Sequence, residues 1–162
     1  MKSLKKLIES KKFDWVNSNI TEDLFPLVKR KHKGYKLFHF DRYISSEAVI
    51  REMEKEGYMP ANTLELLEWK DWNDKDWVVA LGSVGGVYGS RFVPGLDGGD
   101  SLRGLRLDHW GGGWLSRCRF LGVRNCTSAL EPKPLEKPFD PLIFGHLETI
   151  ERSIKEIRNL IK

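Results

Sequence analysis

Apolar and polar positions change their period several times along this chain, and each change marks an element. Leu4, Leu7 and Ile8 recur at helical spacing in residues 1–12 and predict a short amphipathic helix. Residues 13–34 have no clear period, contain Pro26 and read as an irregular arm. At Lys36–Asp41 the spacing shortens: Leu37, Phe38 and Phe40 with polar neighbours predict a strand that carries His39. Helical spacing then returns. Ser45 or Ser46 caps a helix with Glu47 in its first turn, where the helix dipole favours an acid. Ala48, Val49 and Met53 make its inner face, and Gly57 ends it. Asn62 and Glu65 have the form of a capping box that starts another helix, with Leu64, Leu67 and Trp69 inward.

The second half of the chain is strand-like. Trp77–Gly82 is a continuous apolar run and predicts a buried strand. Gly85, Gly86 and Gly89 predict a loop, Ser90–Pro94 a short strand, and Asp97-Gly98-Gly99-Asp100 a turn. Leu102–Leu107 and Arg119–Arg124 are the last two predicted strands. Strand, helix, helix and closely spaced strands define an α+β fold, two helices packed on a mainly antiparallel sheet. Four prolines, Pro132, Pro134, Pro138 and Pro141, make 130–141 a semi-rigid linker. Ile143, Leu147, Ile150, Ile154, Ile157 and Ile161 then follow at spacings of 4, 3, 4, 3 and 4. This heptad seam predicts a C-terminal amphipathic helix over 142–162. Packing on its own domain and self-association into a homo-oligomer both fit it. The resulting organisation is a helix and arm at 1–34, a main domain at 35–129, the linker and the final helix.

Composition changes this picture little. The chain has 162 residues, 40% hydrophobic and 31% charged, an ordinary globular balance. It holds no apolar run of about 18 residues, so no membrane span is predicted. The N-terminus, MKSLKKLIESKKFDW, lacks the apolar core of a secretory signal, so cytoplasmic residence is expected. Net charge is +4. The excess gathers at Lys2, Lys5, Lys6, Lys11 and Lys12 and again at Lys29, Arg30, Lys31 and Lys33. Such clusters serve as a solvated face or, less commonly, as a nucleic-acid contact. Two cysteines, Cys118 and Cys126, exclude a disulfide framework and are too few for a zinc site. Cys118 alternates with Phe120 and is expected in the core, although a pairing with Cys126 stays open.

The candidate chemistry lies in Ser101–Asn125. Trp110 and Trp114 bracket Gly111, Gly112 and Gly113, a texture suited to a sharp bend or a close approach. Trp offers large contact area at low entropic cost, so the segment reads as a binding surface. Its candidate residues are Asp108, His109, Trp110, Gly111, Gly112, Gly113, Trp114, Leu115, Ser116 and Arg117, facing a protein or other macromolecular ligand. The alternative is that both tryptophans pack inward and only small residues face out. Catalysis is not expected. Asp108 and His109 are adjacent on a strand and point to opposite faces, and no nucleophile triad, phosphate loop or metal box is visible. Asp97 and Asp100 are too few for a calcium cage. No cofactor is implied.

Several of these stretches resemble known sequences. GYMPANTLELLEW at Gly57–Trp69 is similar to a helix-start signature of bacterial domains with a C-type-lectin-like fold, and CRFLGVRN at Cys118–Asn125 looks like their closing strand. ISSEAVIREMEKEGYMPAN, VALGS and WLSRCRFLGVR more closely resemble a family of candidate-phylum bacterial proteins without a known activity. That resemblance covers roughly three quarters of the chain. The same fold family includes sulfatase-modifying enzymes and the variable proteins of diversity-generating retroelements. In the latter, a C-terminal strand-loop-strand segment is hypermutated and displayed on a stable scaffold. The resemblance implies that Asp108, His109, Gly111–Gly113 and Leu115–Arg117 are displayed, with Trp110, Trp114 and Phe120 as frame. Variable segments usually end the protein, whereas here a linker and helix follow. Trp72-Asn73-Asp74 spells a calcium-binding motif of true C-type lectins, but it precedes the main sheet and reads as turn chemistry. The expected function is a non-catalytic display module. An assembly protein joined through 142–162 and a basic nucleic-acid-binding protein remain the alternatives.

Overall fold

Local capping sets the helices of this protein, whose computed structural model describes residues 1–99 and 101–126. Ser3 caps α1 (Leu4–Lys11), its hydroxyl accepting from the Lys6 N–H, and Leu4 and Leu7 are buried. Ser45 caps α2 (Ser46–Lys55) in the same way, with Glu47 in the first turn and Val49 and Met53 buried. The Asn62–Glu65 capping box is present and starts α3 (Thr63–Glu68). Each cap gives an orphan amide of the first turn a side-chain acceptor, worth about 1 kcal/mol.

Eight strands form one sheet: β1 (Trp15–Val16), β2 (His32–His39), β3 (Tyr58–Pro60), β4 (Val78–Val79), β5 (Gly85–Val87), β6 (Ser90–Gly98), β7 (Arg103–His109) and β8 (Arg119–Asn125). The main path runs β1-β7-β6-β4-β8-β2, with β3 on β8 and β5 on β6. Of the seven pairings, β1·β7 and β4·β8 are parallel and the other five antiparallel. The described part is therefore α+β with a mixed sheet.

The sheet is buried on both faces. Side chains alternate along a strand, so Phe120 joins one core while its neighbour Leu121 joins the other. Ile20, Phe25, Leu64, Leu67, Leu96 and Leu105 gather on the α1–α3 side. Val49, Met53, Val79, Val93, Trp110, Trp114 and Cys118 gather on the α2 side.

Three expectations change. The glycines at 85–89 were expected as a loop, but Gly85 and Gly86 pair with Phe92 and Arg91 as β5. Asp97 and Gly98 were expected in a turn, yet they lie inside β6, opposite Gly104 and Arg103. The helix predicted at 1–12 is present as α1, but it packs on the same core as α3, so three helices rather than two lie against the sheet. The segment 13–31 is largely irregular, as its sequence predicts, but it buries Ile20 and Phe25 in that core. The expected linker at 130–141 and helix at 142–162 lie outside the described residues. No helix among the described residues is long and apolar enough to cross a membrane.

Candidate functional site

The segment between β7 and β8 crosses the α2 side of the sheet, and its alternation divides it into anchors and outward positions. Trp110 and Trp114 are 9% and 4% exposed and belong to the core. Of the two sequence readings for these rings, the inward one is what the fold contains. The Trp114 indole N–H donates to Ser46 Oγ at 2.9 Å, and that hydroxyl donates to the Trp110 carbonyl at 2.7 Å. The Trp110 indole N–H reaches Glu47 Oε1 at 3.3 Å. Trp114 and Ile44 exchange both backbone hydrogen bonds, at 2.7 and 3.1 Å. The start of α2 thus holds both tryptophans, and Phe120 meets the Trp114 ring edge-on at 5.6 Å.

Outward from these anchors stand His109, Gly111, Gly112, Leu115, Ser116 and Arg117, with Gly113 half-buried. Leu115 is 52% exposed. The Gly111 N–H donates to His109 Nδ1 at 3.0 Å, and the His109 ring meets Phe92 edge-on at 5.4 Å. His39 Nε2 lies 2.7 Å from the Ser116 carbonyl oxygen. The three glycines are not equivalent. Gly112 and Gly113 have φ of 92° and 77°, which L side chains rarely adopt. The Tyr43 ring lies where a Gly113 side chain would go, and its hydroxyl donates to the Gly112 carbonyl. Gly111 has ordinary backbone and room for a side chain.

Asp108, read from sequence as part of the binding surface, is buried instead. Its carboxylate accepts from the Trp77 indole N–H at 3.0 Å and pairs with Arg106 Nε at 2.9 Å. Burial pushes its pKa above the ordinary carboxylate value, against the pull of Arg106 and Trp77. Arg106 also donates to Asp97 at 2.9 Å and lies 4.4 Å over the Trp77 ring. Arg117 approaches the same ring at 5.3 Å. Every polar atom of the Asp108 carboxylate is therefore occupied by the fold, and Asp108 and His109 diverge as adjacent strand positions do.

Two residues outside the predicted set join this surface. Tyr43 is 65% exposed above Gly112 and Gly113, and the Arg91 guanidinium lies 5.5 Å from the Trp110 ring. Nothing in the sequence near 101–125 points to either, because both come from elements paired with the segment only in the fold. Tyr88 is 93% exposed at the β5–β6 turn with φ of 50°.

The remaining candidates are placed plainly. Cys118 is buried and free, and burial raises its thiol pKa; Cys126 is exposed and free, so the two form no disulfide. Asn73 accepts from the Lys75 and Asp76 amides, and Asp74 pairs with Arg103, so Trp72-Asn73-Asp74 is a turn as expected. Among the described residues no group of His, Cys, Asp or Glu is disposed to hold a metal ion. No protein-family model matches the chain, and no curated protein or solved structure matches it either.

Proposed function

We propose that this protein is a non-catalytic binding module, in which a C-type-lectin-like scaffold displays the segment between β7 and β8 to a macromolecular ligand. The observation that carries this reading is the division of labour within ten residues. Trp110 and Trp114 are fixed by core packing and by Ser46, while His109, Gly111, Leu115, Ser116 and Arg117 face out. Contact residues on a rigid frame lose little entropy on binding. Arg117, Tyr43 and Leu115 supply the charge, ring and apolar area from which hot spots are made. Retroelement-driven diversification of these codons is part of the same proposal, supported by the resemblance of the segment to variable proteins.

A displayed library tests the frame and the contact positions together. Randomising His109, Leu115, Ser116 and Arg117 is expected to leave most members folded, each surface change staying within about 0.5 kcal/mol. Such a library, panned against a protein such as lysozyme, yields binders. Trp114→Ala is expected to cost about 3–5 kcal/mol in urea denaturation. Libraries that unfold as readily at the outward positions as at the two tryptophans contradict the reading.

A further inference from the structure

The α1–α3 side of the sheet carries a second site, independent of the displayed segment. A cavity of about 800 Å³ opens between α1, α3 and β2, within the size range of small-molecule sites. Its apolar lining is Leu7, Leu64 and Leu67, with the Tyr35 ring beside them. Its charged lining is Lys2, Lys11, Lys29 and Lys70 against one carboxylate, Glu68. A smaller cavity of about 160 Å³ shares Lys11 and Lys70 and adds Arg103, whose charge is met by Asp74 at 3.0 Å.

Three further observations point to a negatively charged occupant. Lys11 donates to the Trp69 carbonyl at 2.8 Å, yet burial and the charges of Arg103 and Lys70 hold its pKa below the ordinary lysine value. An anion at this wall relieves that crowding of like charges. His32 also lines the large cavity, adding an imidazole, which carries at least one N–H donor in either tautomer. The charge balance agrees: residues 127–162 carry six basic and six acidic side chains, so the whole excess of four belongs to residues 1–126, the part that contains this cavity. The aliphatic floor argues for an apolar body on the ligand. A single-stranded nucleic acid would instead want successive aromatic faces, and this cavity offers one tyrosine.

We propose that this cavity binds an amphipathic organic anion, its apolar body on Leu7, Leu64 and Leu67 and its acid group at Lys11 and Lys70. Calorimetric titration of the full chain with decanoate tests this. Saturable binding at one site is expected. Lys70→Gln, an exposed position, should weaken it roughly tenfold, since one charge-assisted contact is lost. Ser10→Trp should block it by filling the cavity without changing its charge. The neutral decan-1-ol should compete poorly. Absence of saturable binding overturns the proposal. So does decanoate binding that is indifferent to Lys70→Gln or to Ser10→Trp, or that decan-1-ol displaces at equal concentration.

Discussion

Asp108 shows how far one position can depart from its neighbours. It sits between Leu107 and His109 in a segment read as a surface, yet the Trp77 indole and Arg106 enclose it. Its carboxyl is harder to ionise in the fold than its ordinary value of 3.8. The sign of the consequence follows from linkage. A raised acid pKa contributes stability that is fully present below the unfolded value and lost as pH rises through the folded value. Asp108→Asn removes that dependence. The stability of the parent relative to this variant should therefore fall as pH rises from about 3.5 towards 7, read by urea denaturation at each pH. A difference that grows in the opposite direction contradicts the assignment. Other single residues were legible because their partners are near in sequence. Ser45, Asn62 and Glu65 bond to amides within three positions, so capping chemistry reveals them. Tyr43 and Arg91 were not, since they meet Gly112 and Trp110 only through tertiary pairing.

Elements were legible wherever apolar side chains set a period. The helices α2 and α3 and the strands β2, β7 and β8 all lie where the sequence predicts, with ends shifted by a few residues. The glycine-rich elements were not. Gly85 and Gly86 carry no side chain to alternate, so β5 has no period to read, and Gly98 hides the last pairs of β6 in the same way. Glycine here allows close approach. The Trp15 ring of β1 lies where a Gly104 side chain on β7 would stand. Gly104→Ala should push that ring away, weakening the parallel pairing at a cost of about 1–3 kcal/mol. Hydrogen exchange at the Asp14 and Asn17 amides, which donate to Arg103 and Leu105 at 2.7 and 2.9 Å, reads this directly. Undiminished protection in the variant contradicts it.

At the scale of the whole molecule, the α+β class and the mainly antiparallel sheet followed from element order. The burial of the sheet on both faces did not, because the irregular segment 13–31 gives no periodic sign that Ile20 and Phe25 enter the core. Nor did the cationic cavity, whose lysines come from the residues before α1, the end of α1, the segment before β2 and the residues just after α3. The proposed display function rests on one relation across this architecture: a buried pair of tryptophans beneath outward-facing positions. Deep sequencing of codons 101–125 across a natural population tests that relation most directly. The account predicts substitutions concentrated at His109, Gly111, Leu115, Ser116 and Arg117, and at adenine-derived codon positions, with Trp110, Trp114 and Phe120 unchanged. A segment no more variable than the rest of the gene contradicts it.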